Sequence, residues 1–335
     1  MTSKVQWGVL STAKIGLKAV IPAMQKGERA TIAAIASRDG DKARAVAAEY
    51  GIPRAYGSYE ELLADPAIEA IYNPLPNHLH VPLTIQALEA GKHVLCEKPI
   101  ALTAAEAETL VEVSKRTGRR VAEAFMVRHH PQWLKARDLV AEGRIGEVRT
   151  IHTLFSYYLT DPTNVRNQAE IGGGGLYDIG CYAINTARFL FGAEPERVVG
   201  TFDNDPEMRI DRMVSGLAEF PGRRHLAFTC ATQLSPSQRV VVLGTKGRIE
   251  IEIPFNAPND RPTRIIVDDG RDLFGSGREA IEIPVTDQYR LQGDAFSAAI
   301  RGEGPAPAGL DDAIANMRVI DAFFRSGRSN GWERP

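Results

Sequence analysis

The feature that most constrains this chain is the alternation of short apolar segments with helix-like segments through residues 1–124. The apolar segments predict six strands, and a helical pattern lies between most successive pairs. A rhythm of strand, helix and strand builds a parallel sheet that is covered by helices on both faces. We therefore predict an α/β fold that begins with a doubly wound Rossmann sheet, with strands at 5–10, 31–37, 55–56, 70–72, 93–96 and 120–124.

The pattern changes after Phe125, where strand candidates follow one another with short turns between them. Such an order predicts a large, mainly antiparallel open sheet in a C-terminal α+β domain. We divide the chain into a dinucleotide-binding domain over residues 1–124 and a substrate-binding domain over residues 125–335. The predicted C-terminal strands are 147–158, 197–202, 213–220, 225–232, 238–243, 248–253 and 264–267, with helices at 132–142, 176–191, 288–300 and 310–325.

Composition excludes several classes of protein. The 40 basic and 42 acidic residues leave a formal charge of −2, which argues against a dedicated nucleic-acid or anionic-membrane binder. No apolar run approaches the ~20 residues that span a bilayer. The N-terminal sequence has no pattern of an export signal, and the three cysteines have neither disulfide nor zinc spacing. We expect a cytoplasmic protein without a metal.

The turn after the first predicted strand is the first candidate for cofactor binding. Its G-x-G-x-x-G slots hold Ser11, Ala13 and Gly16, so that only the third slot is glycine. Small residues here let backbone amides at a helix N-terminus approach a pyrophosphate. An ordinary strand-to-helix turn is the alternative, but the six-strand alternation favours a cofactor. The candidates in this turn are Ser11, Thr12, Ala13, Lys14 and Ile15.

The end of the second predicted strand bears on the choice between NAD and NADP. Arg38 follows Gly16 by 22 residues, close to the usual separation of ~20. A guanidinium suits the 2′-phosphate of NADP, with Ser37 as a second donor. Asp39 would suit the ribose hydroxyls of NAD, and Arg38 could be only a solvated charge. We favour NADP and keep NAD as a possible cofactor.

The fifth predicted strand leads into Glu97, Lys98 and Pro99. Ligands of open α/β sheets bind at the carboxyl ends of the strands, which places Lys98 beside the expected nicotinamide. Its ammonium could orient a substrate hydroxyl or take part in proton transfer. A lone lysine is more often a surface charge, so the assignment depends on position and on the motifs below.

Three further motifs accompany that lysine: Asn73-Pro74-Leu75-Pro76-Asn77-His78-Leu79-His80, Gly91-Lys92-His93-Val94-Leu95-Cys96, and Gly173-Gly174-Gly175-Leu176-Tyr177-Asp178-Ile179-Gly180-Cys181-Tyr182. Together with Glu97-Lys98-Pro99 they resemble the Gfo/Idh/MocA oxidoreductases over nearly the whole chain. The resemblance implies two domains, a nicotinamide cofactor and hydride transfer between an alcohol and a ketone. It also implies a homodimer or homotetramer assembled through the open face of the C-terminal sheet.

The resemblance makes Lys98 the catalytic lysine and maps a second family motif onto Asp178, Gly180 and Tyr182. Tyrosine stands where inositol dehydrogenases have histidine. This is similar to the branch with glucose–fructose oxidoreductase, dimeric dihydrodiol dehydrogenases and NADP-dependent xylose dehydrogenases. The resemblance therefore favours a sugar, a polyol or a cyclic diol over inositol as the substrate.

Spacing assigns roles within this set. Asp178 and Tyr182 are four residues apart and would share one helix face. We expect Tyr182 to exchange the proton of the reacting oxygen, Lys98 to polarise that oxygen, and Asp178 to bind a neighbouring hydroxyl or Lys98. Tyr182 and Lys98 would then meet over one nicotinamide ring. The alternative makes Tyr182 a core aromatic residue and Asp178 an acid at a helix start.

The remaining candidates are less specific. By analogy, the cofactor also contacts Asn73, Pro74, Leu75, Asn77, His78, Glu97 and Lys98, although Asn77 could simply cap a helix. Asn164 and Arg166 are candidates for substrate binding or solvated loop residues. Trp133 and Phe155 are predicted to be core residues rather than sugar-stacking ones. A non-catalytic, dinucleotide-sensing regulator of the same fold is the alternative function, and the joint presence of Lys98, Asp178 and Tyr182 favours the enzyme.

Overall fold

A computed structural model describes residues 3–304 and 308–335 of the chain. The chain forms two compact units, Met1–Met126 with Tyr289–Met317, and Val127–Gln288 with Arg318–Pro335. Each unit contains one sheet. The domain boundary between residues 124 and 125 remains a prediction.

The sheet of the first unit is parallel throughout and has the order β3-β2-β1-β4-β5-β6. This order confirms the predicted doubly wound fold. The chain runs from β1 outward to β3 and then crosses to β4, so β1 and β4 are neighbours at the point where the winding reverses. The strands are β1 (Val5–Leu10), β2 (Ala30–Ala36), β3 (Arg54–Tyr56), β4 (Ala70–Asn73), β5 (His93–Cys96) and β6 (Val121–Glu123).

Helices of the first unit begin and end at residues with clear capping roles. Asp39, Ser58 and Thr103 each accept a hydrogen bond from a backbone amide in the first turn of the helix that follows. Gly51 and Gly118 end two helices in the left-handed conformation. The helical elements are a π-helical turn at Gly16–Val20, α1 (Ile21–Gln25), α2 (Gly40–Tyr50), α3 (Tyr59–Ala64), a 3₁₀ turn at Asn77–Leu79, α4 (His80–Glu89) and α5 (Ala104–Thr117).

The second unit holds an eight-stranded sheet with the order β14-β13-β12-β11-β7-β10-β9-β8. Only β7 and β10 pair in parallel within this described sheet, which confirms a mainly antiparallel arrangement. The strands are β7 (Val148–Tyr158), β8 (Arg197–Asn204), β9 (Asp211–Phe220), β10 (Arg224–Ala231), β11 (Gln233–Gly244), β12 (Gly247–Ile251), β13 (Thr263–Asp268) and β14 (Arg278–Ile283).

Strand β14 was not identified from the sequence, because most of its side chains are exposed or half-buried and it lacks a clear apolar face. The predicted helix over 176–191 is confirmed in extent, but its first turn is not α-helical. A π-helical turn occupies Leu176–Gly180, and α7 (Cys181–Phe191) begins after it. The other helices are α6 (Pro131–Ala141), α8 (Gln288–Ile300) and α9 (Leu310–Ser329).

The first sheet is packed against a segment from late in the sequence. The indole of Trp7 on β1 is fully buried and donates a hydrogen bond of 3.1 Å to Oγ of Ser297 on α8. The ring of Phe296 lies 5.8 Å from the ring of Trp7. These contacts explain why residues 289–317 belong to the first unit. Over the described residues, no helix is long and apolar enough to cross a membrane.

Candidate active site

The carboxyl ends of the parallel strands place the predicted cofactor residues along one edge of the first sheet. Ser11 follows β1, Ser37 follows β2, Asn73 ends β4, and Glu97 follows β5. Since β1 and β4 are adjacent, the turn after β1 and the loop after β4 flank the position where such sheets bind ligands. The residues grouped at this edge are Ser11, Thr12, Ala13, Lys14, Ile15, Ser37, Arg38, Asn73, Pro74, Leu75, Asn77, His78, Glu97 and Lys98.

The turn after β1 has the geometry of an anion-binding turn. Ser11 adopts a φ of 77°, a left-handed conformation that non-glycine residues rarely take and that concentrates at functional sites. Its Oγ accepts a hydrogen bond of 3.3 Å from the amide of Ala13. Helical structure begins at Lys14. The first amide groups of a helix have no carbonyl partner within it, so they point outward at this end. The turn therefore fits the pyrophosphate of a dinucleotide.

The end of β2 separates the roles of Arg38 and Asp39. The carboxylate of Asp39 accepts a hydrogen bond of 3.1 Å from the amide of Lys42 and caps α2. The side chain of Arg38 is exposed and interacts with the hydroxyl of Tyr59. Burial raises the pKa of Tyr59, and the charge of Arg38 opposes that rise. The carboxylate of Asp39 is thus engaged by the helix, while the guanidinium of Arg38 lies at the surface beside Tyr59.

The loop after β4 is held by buried polar contacts. Nδ2 of Asn73 donates to the carbonyl of His80 over 3.2 Å, and its Oδ1 accepts from the amide of Leu75 over 3.3 Å. Nδ1 of His78 is buried and has no hydrogen-bond partner within the described part of the chain. A polar group of a bound ligand would satisfy an atom of this kind. Asn73 therefore holds the backbone of this loop, a role that the sequence did not predict.

His80 links this loop to the segment of Lys98. Its Nδ1 lies 2.7 Å from the carbonyl oxygen of Pro99, and its Nε2 lies 2.7 Å from that of Leu75. Burial lowers the pKa of His80 to about 4, although the two carbonyl oxygens favour the charged ring. The side chain is fully buried and bridges two loops that carry predicted site residues.

Lys98 stands in a backbone that is fixed on both sides. The amide of Glu97 donates to the carbonyl of Asn73 over 3.0 Å, and Tyr72 donates its hydroxyl proton to Oε1 of Glu97 over 2.7 Å. The Lys98–Pro99 peptide is cis. Beyond it, the amide of Ile100 donates to Oε1 of Glu123 over 2.8 Å. The position of the Lys98 backbone is therefore determined by buried contacts.

A second cluster forms in the second unit around the carboxylate of Asp178. Oδ2 of Asp178 accepts hydrogen bonds from the hydroxyl of Tyr157 over 2.5 Å and from Nε of Arg166 over 3.0 Å. Oδ1 of Asn164 accepts from the amide of Arg166 over 3.1 Å. The structure thus brings Asp178 and Arg166 together, and it places Asn164 where it orders the backbone of Arg166.

Tyr182 packs in an aromatic cluster and is 5% exposed. Its ring centroid lies 6.0 Å from that of Phe155 and 5.4 Å from that of Phe255. Trp133 is fully buried beside Phe255, and its indole N–H donates to the carbonyl of Pro254 over 2.7 Å. The prediction that Trp133 and Phe155 are core residues is confirmed.

Asp178 and Tyr182, four residues apart, would share one face only on a regular α-helix. Because Asp178 lies in the π-helical turn and Tyr182 in α7, the wider turn changes the angle between them from that of an ideal α-helix. Tyr157 was missed from sequence. Strand alternation was the available signal, since Phe155 and Tyr157 lie two apart on β7 and contact Tyr182 and Asp178 respectively.

Within residues 3–304 and 308–335, no group of three or more His, Cys, Asp or Glu side chains could hold a metal ion.

The sheet order, the turn after β1 and the residues along the edge of the sheet define a dinucleotide-binding protein. Residues 5–125 match the oxidoreductase family with an NAD-binding Rossmann fold, and residues 133–250 match the GFO/IDH/MocA C-terminal domain. The chain therefore belongs to the Gfo/Idh/MocA family and is an NAD(P)-dependent oxidoreductase.

Comparison with individual proteins supports this assignment over almost the full length. An uncharacterized oxidoreductase of Rhizobium meliloti is 48% identical, with 98% of each chain covered. D-xylose 1-dehydrogenase (NADP(+)) 2 of Haloferax volcanii is 37% identical over 97% of this chain and 98% of its own. The crystal structure of a 3-ketoreductase from Actinomadura kijaniata with NADP and TDP-benzene has a TM-score of 0.90 and 28% identity, covering 97% of this chain and 98% of its own.

Proposed function

We propose that this enzyme transfers hydride between NADP and a carbinol or carbonyl carbon of a sugar, a polyol or a cyclic diol. The anchored position of Lys98 at the carboxyl end of β5 is the observation that carries the proposal. Similarity to the xylose dehydrogenase and the 3-ketoreductase supports this substrate class. A carboxylate, a guanidinium and phenol groups also suit a substrate that is rich in hydroxyls.

Each proposed residue has one task in this reaction. When bound, the nicotinamide donates or accepts the hydride. The ammonium of Lys98 holds and polarises the reacting oxygen, and the hydroxyl of Tyr182 gives or takes its proton. The carboxylate of Asp178 accepts a hydrogen bond from a neighbouring substrate hydroxyl, and Arg166 with Asn164 orients that part of the substrate.

The cofactor set consists of the residues along the edge of the first sheet. The turn of Ser11 to Ile15 holds the pyrophosphate, and Ser37 with Arg38 holds the 2′-phosphate of NADP. The capping role of Asp39 supports NADP over NAD, because its carboxylate accepts from the amide of Lys42 and is engaged by the helix rather than by the ribose hydroxyls. The loop from Asn73 to His78 and the Glu97–Lys98 segment contact the nicotinamide half.

The enzyme assembles as a homodimer or homotetramer through the open face of its eight-stranded sheet. Met213 and Leu217, 36% and 43% exposed, point to this face from β9. Leu217 lines a broad depression together with His152, Leu154, Val199, Ser215, Ala227, Thr229 and Val241. A second copy of the chain would bury this apolar surface.

All three cysteines of the chain are buried thiols, which suits the cytoplasm that we propose as its location.

Assembly is testable by sedimentation of Leu217→Asp. The charged side chain should shift the enzyme toward the monomer, because it would have to be buried without a partner. Leu273→Asp is the matched control, since Leu273 is 98% exposed on the turn before β14 and should keep the wild-type mass. An unchanged mass for Leu217→Asp would place the interface elsewhere.

The reaction itself is tested by a panel of aldoses, polyols and cyclic diols with NADP and NAD. Turnover should appear with NADP, and Lys98→Met should lower kcat by at least ~100-fold while the Kd for NADP changes less than about threefold. Lys246→Met, an exposed lysine in the turn between β11 and β12, is the matched control. Turnover that survives Lys98→Met would overturn the proposed role.

A further inference from the structure

Asp211, the first residue of β9, is a buried acid outside the proposed catalytic set. It is 6% exposed, and its Oδ2 accepts a hydrogen bond of 2.6 Å from the amide of Leu176. The amide of Gly175 also donates to this carboxylate. Gly174 has a φ of 121°, and a Cβ there would lie 1.9 Å from Oδ1 of Asp211. The carboxylate thus contacts three successive residues of the glycine-rich loop.

These three residues lead directly into the segment of Asp178 and Tyr182. The amide of Gly174 donates to the carbonyl of Arg166 over 2.9 Å, and its own carbonyl accepts from the amide of Asp178 over 3.1 Å. Through backbone hydrogen bonds, Gly174 therefore joins the two residues whose side chains pair with each other. The carboxylate of Asp211, on β9 of the sheet, packs against Gly174 at this junction.

An acid at this position is costly for folding. Burial raises the pKa of Asp211 to about 7, against the lowering effect of the amides of Leu176 and Gly175. The buried thiol of Cys230 lies close to it, and its own pKa is raised by burial and by Asp211. A neutral side chain would avoid this desolvation. A residue that is unfavourable for folding is expected where a functional site requires it.

We infer that Asp211 is a positioning residue, whose carboxylate fixes the loop at Gly174–Leu176 and thereby sets Asp178 and Tyr182 for the reaction. This inference rests on the proposed function, in which those two side chains touch the substrate. A displacement of about 1 Å in such groups can cost ~100-fold in rate. Loss of the anchor should therefore affect turnover more than cofactor binding.

The test compares Asp211→Ala, Asp211→Asn and a matched control, Asp268→Ala. Asp268 is also buried, at 1% exposure, and its Oδ1 accepts from the amide of Gly270 over 2.9 Å, but it lies on β13. For each variant we would measure kcat and KM with NADP and the best substrate of the panel, the Kd for NADP, the thermal midpoint, and hydrogen exchange of residues 174–182.

Asp211→Ala should lower kcat about 10- to 100-fold, leave the Kd for NADP within about threefold, and accelerate exchange in residues 174–182. Asp211→Asn keeps one oxygen for the Leu176 amide and should recover most of kcat. Asp268→Ala should lose thermal stability while kcat stays within about twofold. These results together would establish positioning rather than general stabilisation.

Two results would overturn the inference by itself. One is a kcat for Asp211→Ala as high as that of Asp268→Ala, and the other is unchanged exchange in residues 174–182. In both cases Lys98→Met would still lower kcat by at least ~100-fold. If instead turnover survives in Lys98→Met and Tyr182→Phe, the proposed function fails, and the premise of this inference fails with it.

Discussion

The hydroxyl of Tyr157 donates a 2.5 Å hydrogen bond to Oδ2 of Asp178, and Nε of Arg166 donates to the same oxygen. The pKa of Tyr157 is raised, first by burial and then by the adjacent Asp178. The phenol therefore stays protonated and serves Asp178 as a donor at all moderate pH values. Hydrogen bonds to a charged oxygen are among the stronger ones in proteins.

Tyr157→Phe should weaken catalysis without unfolding the protein. It removes one donor to Asp178 and keeps the ring, and a hydrogen bond to a charged group contributes about 1.5–3 kcal/mol. We expect kcat/KM to fall by about 10- to 100-fold in steady-state assays. Tyr158→Phe is the control, because Tyr158 is 67% exposed. Equal activity of the two variants would contradict a role for Tyr157.

Arg38→Ala should change the choice of cofactor. Loss of a phosphate-binding guanidinium should raise the Kd for NADP by about 10- to 100-fold and leave the Kd for NAD nearly unchanged. Isothermal titration with both dinucleotides measures the difference. Arg116→Ala, at an exposed pair with Glu89, is the control. A similar loss of affinity for both dinucleotides would refute the phosphate contact.

Gly174→Ala should destabilise the protein far more than Gly143→Ala. Both glycines have positive φ, 121° and 71°, but nothing lies within 4 Å of a Cβ at Gly143. The backbone strain at Gly143 should cost about 1 kcal/mol in the free energy of unfolding. The added clash with Asp211 should bring the cost at Gly174 to at least ~3 kcal/mol. Denaturant titration would decide, and equal costs would argue against close packing at Gly174.

Stability should fall in mild acid because of His80. Its folded pKa of about 4 lies below the usual 6.5, so the neutral ring favours the folded state above pH 6.5, and this contribution is lost as pH falls toward 4. Between pH 7 and 5 the loss should be about 2 kcal/mol for this group. Denaturant titrations of wild type and His80→Gln at both pH values measure it. An equal pH dependence in the two proteins would show that His80 does not titrate as described.

Much of the first unit was predictable from sequence, because its signals are local. Apolar runs and helix periodicity identified the six strands, and the positions after β1, β2, β4 and β5 followed from the edge of a parallel sheet. The Glu97-Lys98-Pro99 motif could be predicted as part of the site from its place directly after β5. The second unit was less predictable where side chains lack an apolar face, as at β14.

The sequence by itself determined the fold class and the family, because these depend on periodicity and on short motifs. Only the tertiary structure decided that Ser297 bonds to Trp7, 290 residues earlier, that Tyr157 pairs with Asp178, and that Asp211 anchors Leu176. Such contacts join segments far apart in the chain. Their partners depend on how buried polar groups find hydrogen bonds within the packed protein, and no local pattern records that.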